Sequence, residues 1–259
     1  MSKRGCADGF TIIEVAVALF LISLLFGSIF IPLQSQVDSR NVTLTERRLA
    51  IAREALIGYA VARGFFPCPA DEASAGQEAA GADHASGFCT AFHGFLPAAT
   101  LGLQGADAQG FGVDAWAGSS NRLRYAVTDQ SVGPGANTRA FTRANGMRTA
   151  GIAALGNPAL SLMHVCASAK GNVAGTSCGS AETTVSTTPV VIWSVGPNAA
   201  SGGAGADEAQ NPNPNGGSKD RIFVMHSRSN AADNEFDDIL TWVPMTHLVR
   251  AMLAAGHLP

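Results

Sequence analysis

The sequence predicts an α+β protein in which a long N-terminal transmembrane α-helix packs against a small antiparallel β-sheet head. A charge-free apolar segment lies near the N-terminus, apolar residues continue at helical spacing to Arg63, and short strand-like runs follow residue 64. The predicted segments are a short charged segment over residues 1–9, a transmembrane helix over 10–33, a continuation of that helix over 34–63, and a globular head over 64–259.

The apolar segment contains no charged side chain from Val15 to Ile31. An α-helix rises about 1.5 Å per residue, so a stretch of about 20 apolar residues can cross a hydrocarbon core of about 30 Å. A secretory signal peptide is the nearest alternative, but no A-x-A cleavage pattern follows the segment. Lys3 and Arg4 precede the segment, which favours a single membrane pass with the head on the far side.

The second half of the helix is predicted from apolar residues such as Leu49, Leu56 and Ala60, which recur at helical spacing. Pro32 lies inside the helical pattern and is expected to kink the helix. Gly64 is expected to end it.

Five strands and one helix are predicted in the head, and the strands are expected to form one antiparallel sheet. The strands are Leu123–Thr128, Leu160–Ala167, Val190–Val195, Arg221–His226 and Ile239–Val243. A short amphipathic helix is predicted from Pro244 to Ala255, with Gly256 just after its end. Residues 196–218, rich in Gly, Asn and Pro, predict a long mobile loop.

The composition of the chain excludes some classes of function. Of 259 residues 14% are charged and the formal net charge is −3, without a basic run. Nucleic-acid binding needs clustered Lys and Arg, so no nucleic-acid partner is expected. No nucleophile elbow, phosphate loop or H-E-x-x-H motif is present, so the chain is not predicted to be an enzyme and no catalytic residue is assigned.

A short motif at the start of the apolar segment carries a resemblance to a known family. Gly9-Phe10-Thr11-Ile12-Ile13-Glu14, after a short charged leader and before the apolar run, resembles the signal of type IV pilins and type II secretion pseudopilins. The resemblance implies cleavage between Gly9 and Phe10 by a prepilin peptidase and N-methylation of Phe10. Glu14 then corresponds to the family's glutamate, which neutralises the Phe10 amine of a neighbouring subunit during assembly.

The same resemblance implies a function, a location and partners. The chain is expected to be a structural subunit of a type IV pilus or a type II secretion pseudopilus, assembled through its N-terminal helix. The expected location is the inner membrane, with a periplasmic head, and then the assembled fibre. The implied partners are prepilin peptidase, other pilin or pseudopilin subunits, an inner-membrane assembly platform and membrane lipid. The alternative is a membrane-anchored periplasmic binding or adhesion domain that never polymerises.

Two stretches extend the resemblance into the head and raise the question of calcium. Asp114-Ala115-Trp116, with Asn121 and Tyr125, resembles the D-P-W-G-N-P-Y segment of pseudopilins. Residues 193–198 and the later Asp237-Asp238-Ile239 resemble segments that flank the family's calcium loop. Asp237 and Asp238 are therefore candidate calcium ligands. Other oxygen ligands could come from Asp207, Asp233, Glu235 and backbone carbonyls near residues 196–198. A solvated acidic loop or a strand cap is the alternative.

The cysteines favour two disulfides in the head. Cys6 lies in the leader, which leaves four cysteines in the mature chain. The pairs Cys68–Cys89 and Cys166–Cys178 are favoured because each closes a short loop. Four free buried thiols are one alternative. A zinc site built from Cys68, Cys89, His84 or His93 is another, although the chain has neither C-x-x-C nor H-x-x-x-H spacing there.

Overall fold

A computed structural model describes residues 11–116, 121–133, 139–172, 175–199, 205–211, 220–231 and 234–258, without the side chains of residues 25–35. Gly9 and Phe10, the predicted cleavage and methylation site, lie outside the described residues. The chain divides into two compact units, residues 1–43 and residues 44–259.

Helix α1, Ile12–Arg63, is the first element and contains 52 residues. Thr11 begins it, because the Glu14 backbone N–H donates to Thr11 Oγ1 at 3.2 Å. Thr11 and Glu14 have the spacing of a capping box, in which a hydroxyl and a carboxylate satisfy the first backbone N–H groups of a helix. The helix ends at Arg63, and Gly64 follows with a φ of 82° that favours glycine.

The predicted transmembrane helix is not supported by the structure. Crossing a bilayer takes about 20 consecutive apolar residues in one helix. Among the described residues, no helix combines that length with that apolarity. The prediction of a transmembrane helix over residues 10–33 is therefore wrong, and the predicted single-pass inner-membrane location is wrong with it.

The second unit contains the C-terminal part of α1, the remaining α-helices, a 3₁₀ helix at Ala169–Gly171 and all strands of the described part of the chain. The remaining α-helices are α2 Gly146–Leu155, α3 Ala206–Gln210 and α4 Met245–Ala254. The strands are β1 His93–Phe95, β2 Arg124–Val127, β3 Met163–Cys166, β4 Thr183–Thr188, β5 Val190–Ser194, β6 Ile222–Val224, β7 Ser229–Ala231, β8 Asn234–Phe236 and β9 Ile239–Trp242.

These strands form three sheets rather than the one predicted. The largest has the order β1-β2-β5-β9 and is antiparallel throughout. The second has the order β4-β3-β6, and β3 pairs with β6 in parallel. Strands β7 and β8 form a two-stranded ribbon. The prediction of a membrane-spanning helix on one small antiparallel sheet is therefore wrong as a fold class, because apolar runs mark strands without determining which strands pair.

The largest sheet uses its two faces differently, as the period of two in a strand requires. Tyr125, Val127 and Ile192 belong to the main hydrophobic cluster, which includes α4 residues and the part of α1 from Leu49 to Ala60. Their neighbours Ala126, Val191 and Trp193 belong to a second cluster, with Met163, Val165 and Phe223 of the second sheet. The first sheet thus lies between a helical layer and the second sheet.

The two predicted disulfides are confirmed. Cys68 is bonded to Cys89 and Cys166 to Cys178, and each pair has a Cα–Cα distance of 5.5 Å. The pairs are 21 and 12 residues apart in the chain. In the loop-entropy model each bridge stabilises the fold by about 3 kcal/mol. Cys68 and Cys89 are therefore not available to a zinc ion.

Candidate metal centre

Three buried carboxylates meet at one edge of the second unit. Glu208, Asp237 and Asp238 each place a carboxylate oxygen within 4.8 Å of the others. All three residues are at most 5% exposed. If all three are ionised, three negative charges are buried away from water. This burial costs free energy unless bound protons or a cation neutralise the charges.

The sheet register brings two of these carboxylates to the end of β5. Asp237 and Asp238 lie between β8 and β9, and the first residue of β9, Ile239, pairs with Ser194 at the end of β5. The chain that leaves β5 through Gly196 and Asn198 therefore runs beside the two aspartates. Glu208 comes from α3, whose residues pack against β8.

Burial changes the acidity of the aspartates. It raises the pKa of Asp238 to about 8, and the charges of Glu208 and Asp237 add to the rise while a hydrogen bond from Asn211 opposes it. Burial and then the Glu208 charge also raise the pKa of Asp237. Proximity to a cation would favour the ionised forms of these carboxylates.

The hydrogen bonds at the cluster satisfy some of its oxygens and leave others without partners. Asn211 Nδ2 donates to Asp238 Oδ2 at 2.7 Å, and Asn198 Nδ2 donates to Glu208 Oε1. One oxygen of each carboxylate remains buried without a hydrogen-bond partner among the described residues: Glu208 Oε2, Asp237 Oδ1 and Asp238 Oδ1. Buried polar atoms are nearly always paired, so these three neighbouring oxygens require compensation, either by protons, one of which Glu208 and Asp237 can share, or by a bound cation.

These donors fit a hard cation. All are oxygens, and Ca²⁺ takes six to eight oxygen ligands at about 2.3–2.6 Å from carboxylates, amide carbonyls and water. Glu208, Asp237 and Asp238 would supply the charged ligands. A zinc ion is disfavoured, since it prefers nitrogen and sulfur ligands.

Gly196 is required beside the centre for two reasons. Its φ is 68°, a conformation that other residues adopt at a cost. A Cβ at this position would also clash with the carboxylate and the backbone oxygen of Asp237. Only glycine therefore allows the β5 segment to approach Asp237 this closely.

Asp114 connects this segment to α1. Its side chain, fully buried, accepts from Ser194 Oγ at 2.5 Å and from Asn121 Nδ2 at 3.2 Å. Asn121 Nδ2 also donates to the Gly196 carbonyl oxygen at 2.8 Å. Burial raises the pKa of the Asp114 carboxyl, against the hydrogen bonds from Ser194 and Asn121. Arg48 of α1 donates to the Asp114 backbone carbonyl at 2.5 Å.

The structure brings together only some of the residues that the sequence suggested as ligands. Asp237 and Asp238 lie in the cluster. Asp207 instead accepts from Ser168 Oγ at 2.9 Å and lies 3.3 Å from His226 Nε2. Glu235 lies in β8 outside the three-carboxylate group, and Asp233 lies outside the described residues.

Glu208 is the ligand candidate that sequence reasoning missed. Residues 196–218 are predicted to form a mobile loop, but α3 and the residue after it place Asp207, Glu208 and Asn211 in buried positions. The Asp207-Glu208 pair was the available signal, because two adjacent acids in a segment rich in Gly and Asn are candidates for cation binding.

The other predicted site residues lie elsewhere. Glu14 is exposed in the first turn of α1. His84 Nε2 lies 3.2 Å from Glu78 Oε2, and His93 is buried with its ring stacked on Phe223. Neither histidine belongs to a group of potential metal ligands among the described residues.

No protein-family model matches this chain, and no curated protein or solved structure shows significant similarity to it.

Proposed function

We propose that this chain is a structural subunit of a type IV pilus or a type II secretion pseudopilus, assembled through its N-terminal helix. One observation carries the proposal. The side chains from Ile12 to Leu24, here called the assembly segment, are all exposed, and most of them are large and apolar. Ile12 is 89% exposed, Phe20 64% and Leu19 62%.

The exposed assembly segment needs a partner. Burying one large aliphatic or aromatic side chain is worth about 1.5–3 kcal/mol, and contiguous apolar patches on proteins mark interaction sites. Nine large apolar side chains lie along it: Ile12, Ile13, Val15, Val17, Leu19, Phe20, Leu21, Ile22 and Leu24. Packing against the same segment of neighbouring subunits would bury them, which supports a helical fibre core.

Glu14 supplies the charge that the resemblance assigns to assembly. After cleavage behind Gly9, the amine of Phe10 would be a cation at the edge of the fibre core. Glu14 of a neighbour would neutralise it, and two charges that are costly alone become tolerable as a pair in an apolar environment. If neighbouring subunits packed with a different axial offset, the Phe10 amine and the Glu14 carboxylate would both be buried without a partner.

A substitution at Glu14 separates its charge pairing with a neighbouring subunit from its contribution to the N-terminal cap of α1. Gln also serves at the third position of a capping box, so Glu14→Gln keeps the cap and removes only the charge. We expect wild-type chains, produced in cells with a prepilin peptidase, to give fibres visible by electron microscopy. We expect Glu14→Gln to give none while α1 retains its helicity by circular dichroism. Normal assembly of Glu14→Gln would show that the charge pairing is wrong.

A second pair of variants tests the interface itself. Leu19 and Ile51 are both exposed aliphatic residues of α1, but only Leu19 lies in the assembly segment. Leu19→Asn should abolish fibres, and Ile51→Asn should preserve them.

Mass spectrometry of the mature N-terminus should find N-methylated Phe10. Fibres built from chains that retain Met1 would contradict the pilin-like processing.

A further inference from the structure

A groove between α2 and α4 has the features of a ligand site. It has a volume of about 500 Å³ and lies between the C-terminal end of α2 and the exposed side of α4, with Thr187 of β4 also lining it. Ligand pockets in proteins typically measure about 300–1,000 Å³ and are mostly apolar, with a few polar groups that fix orientation. The groove is within that range.

The walls of the groove are apolar and already formed. Leu155 and Met245 are buried and belong to the main hydrophobic cluster, so their positions are fixed by the core. Val249 packs against the same cluster. Leu253 is 42% exposed at the groove, so a bound apolar group would remove apolar surface from water there.

One end of the groove is cationic. Among the described residues, Arg250 is the only charged side chain that lines it, and no hydrogen bond or ion pair to another of these residues occupies its guanidinium. Arg250 and Thr246 also line an adjoining space of about 360 Å³, together with His247. No acidic side chain of the described residues lines either space.

We propose that this groove binds a single-chain amphipathic anion, an alkyl carboxylate, with its chain against Leu155, Val249 and Leu253 and its carboxylate at Arg250. The guanidinium matches the geometry of a carboxylate and can hold both oxygens at once. The Thr246 hydroxyl and the His247 imidazole add hydrogen-bonding groups at the same end. This site is independent of fibre assembly and of the acidic cluster.

Photo-crosslinking with mapped products tests the proposal on the full chain. Diazirine derivatives of decanoate and of decanol are used as probes, and the labelled peptides are identified by mass spectrometry. Mapping separates labels in α2 and α4 from labels on the exposed apolar part of α1. We expect the decanoate probe to label peptides of the groove at roughly tenfold lower concentration than the decanol probe, because a hydrogen bond to a charged group supports a preference of that size.

Three variants define the site. Leu253→Trp should block labelling of the groove by both probes, because a larger side chain fills it. Arg250→Gln should remove the preference for decanoate, and Arg250→Lys should restore part of it. Arg148→Gln is the matched control, since Arg148 is an exposed cation of α2 that does not line the groove.

Several outcomes would overturn the proposal. Labels confined to α1, equal labelling by decanoate and decanol, or an unchanged preference in Arg250→Gln would each contradict it. Vesicles of phosphatidylglycerol should not compete with the decanoate probe, because a groove of this volume is proposed to hold one chain. Full competition by these vesicles would show that the site takes a two-chain lipid instead.

Discussion

Ser194 Oγ donates a 2.5 Å hydrogen bond to Asp114 Oδ2, although the two residues are 80 positions apart in the chain. The same Ser194 oxygen accepts from the Gly196 backbone N–H at 3.2 Å. Since Arg48 of α1 donates to the Asp114 carbonyl, one buried polar network joins the helix to the segment beside the acidic cluster. The D-A-W segment therefore has a structural role that its sequence alone did not reveal.

Replacing the Asp114 carboxylate should destabilise the second unit. Asp114→Ala leaves Ser194 and Asn121 as buried donors without their acceptor, so we expect a loss of about 3 kcal/mol in the free energy of unfolding. Chemical denaturation followed by tryptophan fluorescence measures it. Asp83→Ala is the control, because Asp83 also accepts from a serine hydroxyl, at 2.7 Å from Ser86, but is exposed. A similar small loss in both variants would show that the network contributes little.

Gly196 should tolerate alanine much less well than another glycine of the same conformation. Gly196 and Gly102 have φ values of 68° and 66°, but a Cβ at Gly102 meets nothing within 4 Å. Gly102→Ala should therefore cost only about 1 kcal/mol of backbone strain. Gly196→Ala adds the clash with Asp237 and should cost clearly more, measured by thermal melting. Equal losses would mean that the segment can move away from Asp237 without penalty.

Calcium should stabilise the fold through the acidic cluster. Free Ca²⁺ at one hundred times its dissociation constant would add about 2.7 kcal/mol and raise the melting temperature. Because the pKa values of Asp237 and Asp238 are raised, Ca²⁺ must displace protons, so its affinity should be higher at pH 8 than at pH 6. Calorimetry at both pH values measures this difference.

Two variants locate the calcium effect. Asp238→Asn removes a charged ligand and should greatly reduce the calcium-dependent rise in melting temperature. Asp71→Asn changes an exposed aspartate away from the cluster and should leave the rise unchanged. If neither added Ca²⁺ nor a chelator changes the melting temperature of the wild-type chain, the cluster holds no structural ion and is compensated by protons.

Local elements of this fold could be predicted from the sequence, but their arrangement could not. Gly64 marks the end of α1, and each predicted strand contains an observed one. Strands β1, β4, β7 and β8 were missed, because their segments are short or mostly polar and lack the apolar alternation that indicates a strand. The parallel pairing of β3 with β6 depends on contacts between distant segments, which short apolar runs do not specify.

For the candidate metal centre, too, the sequence indicates some residues but not how the fold brings them together. The adjacent Asp237 and Asp238 stand out in the sequence as a pair of carboxylates. Glu208 also has an acidic neighbour, Asp207, but no local pattern indicates its burial, which comes from the packing of α3 against β8. The close contact between Gly205 and the Glu235 backbone is part of that packing.

His93 should make the stability of the protein depend on pH in mild acid. Burial lowers the pKa of His93 to about 4, although the charges of Asp220 and Asp129 oppose this. The unfolded chain takes up the proton near pH 6.5 and the folded chain only near pH 4, so His93 causes a loss of stability as pH falls through that window, by about 3 kcal/mol in total. Denaturant unfolding at pH 7, 5.5 and 4.5 measures the slope. His93→Gln should flatten it, whereas His247→Gln, which removes an exposed imidazole, should not. An unchanged slope in His93→Gln would assign the acid sensitivity to other groups.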